Sequence, residues 1–133
     1  MLKIETRNIK IAAGENGDTL DITFPGDYNV IGVMYVHKKG DLQKDIDCEF
    51  MMSNGSNIVG PIDINALAKG DDGFKPKTAF PFPPGISSNS GVRLKVTSEE
   101  MDEDFKGQFI FILTEKGKAI GANNEIVDVT NMC

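Results

Sequence analysis

The residues with most capacity for chemistry are one histidine, two cysteines and twenty carboxylates. His37 ends an apolar run and is followed by Lys38, Lys39 and Gly40. Any Ser-His-Asp or Cys-His arrangement has to use it, and no neighbouring residue fixes such a partnership. Cys48 and Cys133 are too few for a disulfide framework and read as two thiols in a reducing compartment. With one histidine there is no His/Cys set for zinc. No glycine-rich loop has the spacing that cradles a phosphate between strand and helix.

The carboxylates gather in three places. Asp41, Asp45, Asp47 and Glu49 lie close together, the last three on one face of a strand. Glu99, Glu100, Asp102, Glu103 and Asp104 crowd one loop, and Asp71 and Asp72 sit between Gly70 and Gly73. Calcium takes about six to eight oxygens from such loops, but none of the three has the spacing of an EF-hand. Solvated acidic loops account for all three. Asn54-Gly55-Ser56 fits a glycosylation acceptor, and the same residues fit a turn. The sequence thus points to a protein that is not an enzyme and has no cofactor or metal.

The other conspicuous stretch is "FPFPPGISSNSG" at 80–91. Pro81, Pro83 and Pro84 cannot donate ladder hydrogen bonds, so this segment belongs at a sheet edge or a crossing between sheets. Phe80 and Phe82 share a face if the segment is extended. That face seals the core, meets another subunit, or offers an aromatic platform. With no Trp and only Tyr28 and Tyr35, a sugar platform is the poorest of the three.

The elements that must position these residues are strands. "TLDITF", "DIDCEFMM" and "GVRLKVTS" alternate with period two: Leu20, Ile22 and Phe24 face one way, as do Ile46, Cys48, Phe50 and Met52, and Val92, Leu94 and Val96. One wet face and one dry face mark an antiparallel sheet. "VIGVMYV" at 30–36 and "FIFIL" at 109–113 are apolar throughout, which predicts burial on both faces. Helix signals are poor: "DINALAKG" offers barely two turns capped by Asp63 or Asn65, and "SEEMDEDF" a single turn. Asn16-Gly17 and Asn54-Gly55 predict type I′ hairpins, and "FPGD" at 24–27 a tight turn with Pro25 presetting φ.

Eight or nine strands follow, at about 3–12, 19–24, 28–37, 45–52, 57–64, 78–82, 91–98, 107–114 and 125–130. The chain reads as one all-β domain over residues 1–133, an antiparallel β-sandwich of jelly-roll or other Greek-key type, with a closed barrel as the alternative. A C-terminal arm covers about 117–133. The net charge of −6 and the lack of any Lys/Arg run argue against a nucleic-acid binder. Lys3, Glu5, Arg7 and Lys10 interrupt any export signal, and no window approaches the roughly 20 apolar residues of a membrane span. The expectation is synthesis without export and no membrane contact.

Two function classes compete. One is a structural protein acting through contacts with copies of itself and with other structural proteins, its contacts made by Phe80, Pro81, Phe82, Pro83, Pro84 and, in the arm, Ile120, Ile126, Val127 and Val129. The other is a ligand-binding sandwich, most naturally for carbohydrate. The layout "FPGDYNVIGVMYV", then "CEFMMSNGSNIVGPIDI", then "VRLKVTSEEMDEDFKGQFIFIL", over roughly 19–114, resembles small single jelly-roll virion proteins of bacteriophages. The resemblance is one of strand layout. It implies a minor capsid, vertex or decoration protein, made in the host cytoplasm and carried in the virion. Without it, the bacterial cytoplasm is the expected location.

Overall fold

The computed structural model of the chain describes residues 2–68, 79–83, 85–115, 118–120 and 126–128. Its strands are β1 (Leu2–Ile11), β2 (Gly17–Ile22), β3 (Tyr28–Lys39), β4 (Ile46–Met52), β5 (Asn57–Asp63), β6 (Phe80–Pro81), β7 (Val92–Ser98), β8 (Phe105–Glu115), β9 (Lys118–Ile120) and β10 (Ile126–Asp128). The described residues contain no α-helix. The topology is a doubled ribbon. The chain turns back between β4 and β5, and each outgoing strand pairs antiparallel with its counterpart on the return: β4 with β5, β3 with β6, β2 with β7, β1 with β8. Rolling that ribbon closes β3 onto β8 and β4 onto β7. Two four-stranded sheets result, β1-β8-β3-β6 and β2-β7-β4-β5, and the fold is an eight-stranded jelly roll. β9 and β10 form a separate two-stranded ribbon.

The core between the sheets is supplied by the faces the alternation marked. Ile46, Cys48 and Phe50 from β4, and Val92, Leu94 and Val96 from β7, meet Val33 and Tyr35 from β3 and Phe105, Phe109, Phe111 and Leu113 from β8, all buried. Phe50 is the central ring, with ring centres 5.3 Å from Phe82 and 6.1 Å from both Phe109 and Phe111. The two runs that lack alternation are buried on both faces. Ile31, Met34 and Ile112 join Ala79 in a second apolar cluster on the far side of the first sheet, with Ile110 beside it.

Three local expectations are corrected. Asn16-Gly17 does not make a hairpin, because β1 and β2 lie in different sheets. The chain turns earlier, with the Glu15 N–H donating to Ala12 C=O at 2.9 Å, and Gly17 already belongs to β2 opposite Thr97. Its glycine serves close approach: a Cβ there would lie 2.5 Å from the Val96 carbonyl oxygen. The β4–β5 hairpin exists but has a three-residue loop. Gly55 N–H donates to Met52 C=O at 2.9 Å, Met52 N–H to Ser56 C=O at 2.8 Å, and Gly55 takes φ 90° as the bulge residue. "DINALAKG" gives one 3₁₀ turn, Ile64–Leu67, capped where Asn65 N–H donates to Asp63 Oδ1 at 2.8 Å. A 3₁₀ turn eclipses positions i and i+3, and Ile64 and Leu67 are both buried.

Candidate functional site

His37 is committed to holding the structure. Its ring sits on β3 near Phe105, with centroids 5.0 Å apart. Nδ1 lies 3.0 Å from the Tyr35 hydroxyl and Nε2 2.8 Å from the Gly40 carbonyl. A carbonyl only accepts, so Nε2 donates to Gly40, and Nδ1 shares a hydrogen bond with the Tyr35 hydroxyl. Both nitrogens are occupied. Burial, and then the nearness of Cys48, raises Tyr35 well above the ordinary phenol range.

Cys48 faces the same core. Burial, with Asp47 and Asp63 adding to it, pushes its thiol up to about 12. The thiolate is the reactive form, so this sulfur is inert at neutral pH. Alkylation of the native protein, mapped by peptide mass spectrometry, should leave Cys48 unmodified until urea is added. Rapid native labelling at Cys48 would contradict that burial.

The acidic loop before β8 stitches the ends of the sandwich together. Glu99 Oε2 accepts from Asp45 N–H at 3.0 Å, and Lys44 reaches Asp102 at 3.3 Å and the Glu100 carbonyl at 3.0 Å. Asp104 accepts from Ala13 N–H at 3.1 Å and lies 3.7 Å from the Lys10 ammonium. That backbone donor first, and then Lys10, Lys39 and Lys106, lower its pKa. Among the described residues no three His, Cys, Asp or Glu side chains come together to hold a metal ion. Asp71 and Asp72 lie outside the described residues.

The Phe-Pro stretch divides. Phe82 is buried against Phe50, and Phe80, half-buried on β6, packs on the same core. Pro81 and Pro83 are exposed, and β6 is only two residues long. Of the arm residues, Ile120 lies on β9 and Ile126 and Val127 on β10. Pro84 and Val129 lie outside the described residues.

The sheet edges differ in a way that only the strand order reveals. Proteins blunt open edges with short strands, prolines, bulges and charge, because a bare edge templates pairing with another chain. β6 is two residues with Pro81. β5 is interrupted at Gly60-Pro61, with shifts in its register against β4. β2 is six residues, and its Asp18 carboxylate accepts from Thr19 N–H at 2.9 Å.

β1 is different. It runs for ten residues without proline, glycine or bulge, in unbroken register with β8 from Leu2↔Thr114 to Ile11↔Phe105. Lys10 N–H donates to Asp18 Oδ2 on β2 at 3.3 Å, and the Thr6 carbonyl accepts from Arg7 Nη1 at 2.7 Å. Even-numbered residues therefore turn their backbone groups away from β8. Ile4, Thr6 and Asn8 are exposed, and among the described residues nothing bonds to their N–H groups. Ile4, 46% exposed, is the one large hydrophobic residue left in water among those whose side chains are described.

An eight-stranded jelly roll with one long open edge is thus the class that fold and surface define. Compared with protein families, with curated proteins and with solved structures, the chain matches none. No helix among the described residues is long and apolar enough to cross a membrane.

Proposed function

We propose that the protein is a non-enzymatic structural component that works by assembling with copies of itself and with other structural proteins, and that its place is a virion, as a minor capsid, vertex or decoration protein. The observation that carries this reading is the open β1 edge. Its strand is the longest edge strand described, it bears the one exposed large hydrophobic residue among those whose side chains are described, and the three other edges of the two four-stranded sheets are short or interrupted. Charge from Lys3, Glu5, Arg7 and Lys10 is the one protection of β1, and a long regular edge of this kind is a template for a partner strand that can match those charges.

The carbohydrate alternative would need aromatic rings on an open platform. Among the described residues, instead, Phe24, Tyr35, Phe50, Phe82, Phe105, Phe109 and Phe111 are buried, and Tyr28 and Phe80 pack half-buried against the same core; Phe74 lies outside them. That distribution favours assembly over sugar binding. Light scattering across protein and salt concentration, followed by electron microscopy, tests the reading. A closed oligomer or reversible growth into particles is expected. A strict monomer under every condition would overturn it.

A further inference from the structure

We propose that β1 pairs with β1 of a second copy, antiparallel about a two-fold axis at Thr6, so that the first sheets of two protomers continue as one eight-stranded sheet. This rests on the assembly reading above and names its first partner and its register. The backbone sets the allowed registers. Ile4, Thr6 and Asn8 turn N–H and C=O to the open edge, so an antiparallel mate must place even-numbered residues opposite even-numbered ones. Centred on Thr6, Thr6 faces the partner's Thr6 and exchanges both hydrogen bonds, while Ile4 faces the partner's Asn8 and Asn8 the partner's Ile4. Every edge group from Ile4 to Asn8 is then paired.

The side chains select that register. In the alternate, non-hydrogen-bonded pairs, where Cα atoms come within about 4.5 Å, Glu5 faces the partner's Arg7 and Arg7 the partner's Glu5. The neighbouring allowed registers, centred on Glu5 or on Arg7, would set Glu5 against Glu5 or Arg7 against Arg7. Shifts farther out leave the edge groups of Asn8 or Ile4 unpaired. With Thr6 on the axis, Glu5 and Arg7 are matched and the edge groups of Ile4, Thr6 and Asn8 are all paired. A register centred on Ile4 also matches charge, Lys3 to Glu5, but leaves the edge groups of Asn8 without a mate. A two-fold contact requires self-complementarity of this kind.

In the single chain Arg7 stands in for the partner. Its guanidinium donates to the Thr6 and Thr23 carbonyls, lies 5.2 Å from the Phe24 ring centre and 3.6 Å from Glu5. On pairing, the Thr6 carbonyl passes from Arg7 to the partner's Thr6 N–H, and Arg7 turns to the partner's Glu5. Ile4 comes to lie beside the partner's chain and loses water contact.

Sedimentation of the full chain, wild type and variants, tests this. Thr6→Pro removes an N–H that faces the edge and not β8, so the β1–β8 ladder keeps all its bonds. It should weaken the dimer by at least about tenfold, since both central hydrogen bonds go, with circular dichroism and unfolding midpoint retained. Glu5→Arg should also weaken the dimer, and Glu5→Arg with Arg7→Glu should restore it, a readout that does not depend on proline being tolerated. A dimer indifferent to Thr6→Pro, or a double variant no tighter than Glu5→Arg, would overturn the β1 pairing. Larger species surviving both changes would overturn the pairing while leaving the assembly reading in place. A monomeric wild type would overturn both.

Discussion

Replacing Phe50 by alanine is expected to lower the free energy of unfolding by about 3–5 kcal/mol. Phe50 is the ring through which the second sheet grips the first. It comes from β4, is fully buried, and meets Phe109 and Phe111 of β8 nearly edge-on and Phe82 of the Phe-Pro stretch at 60°. Truncation loses its transfer free energy and leaves a cavity walled by three rings, two of them held by other rings: Phe111 packs on Phe24 and Phe109 on Tyr35. Such a site cannot collapse to fill the space, which puts the cost in the upper part of the usual range. Phe50→Leu keeps most of the volume and should cost about 1.5 kcal/mol or less. Urea unfolding read at constant slope measures both. A loss below about 1 kcal/mol for alanine would show that Phe50 is not the centre of the core.

Gly107→Ala should cost about 3 kcal/mol, although it adds one methyl group in a strand where alanine has an acceptable backbone. Gly107 lies opposite His37 in the β3–β8 register, and the Tyr35 ring crosses above it. A Cβ at 107 would overlap the Tyr35 hydroxyl and ring. Tyr35 cannot yield easily, because it is 1% exposed and held between Phe105 and Phe109. Moving it also breaks its hydrogen bond to His37 Nδ1, leaving polar atoms in the core without partners. Tyr35→Phe isolates that second contribution and should cost about 1–2 kcal/mol. Guanidinium unfolding of the two variants separates packing from hydrogen bonding. Tolerance of Gly107→Ala within about 0.5 kcal/mol would contradict the overlap.

Much of this fold was legible because two-sheet packing writes itself into the sequence as period two. The inward sets Ile46/Cys48/Phe50 and Val92/Leu94/Val96 were marked by alternation alone, and the unbroken runs at 30–36 and 109–113 announced burial on both faces. β9 was missed, since three residues, Lys118–Ile120, are too few to show any period. Asn16-Gly17 misled because the same dipeptide that permits a tight turn also permits close approach to a neighbouring strand. The jelly-roll connectivity could only be narrowed to a family of sandwiches, because it depends on which strands meet. The candidate site was hidden for the same reason. In the sequence Lys3, Glu5 and Arg7 are polar interruptions, and their order about Thr6 acquires meaning only once β1 is known to be an edge. His37 and Cys48, the residues whose types suggested chemistry, are instead fixed by the core around Tyr35, a fact that depends on three-dimensional packing.

The central claim is that the open side of β1 is where copies of this chain meet. Residue-resolved amide hydrogen exchange at low and high protein concentration tests it most directly. The account predicts that the N–H groups of Ile4, Thr6 and Asn8 exchange fast in dilute protein and become protected as concentration rises. The odd-numbered N–H groups of Glu5, Arg7 and Ile9, already bonded to β8, should be protected throughout. Exchange at Ile4, Thr6 and Asn8 that stays fast at every concentration, while the protein assembles, would place the contact elsewhere and contradict it.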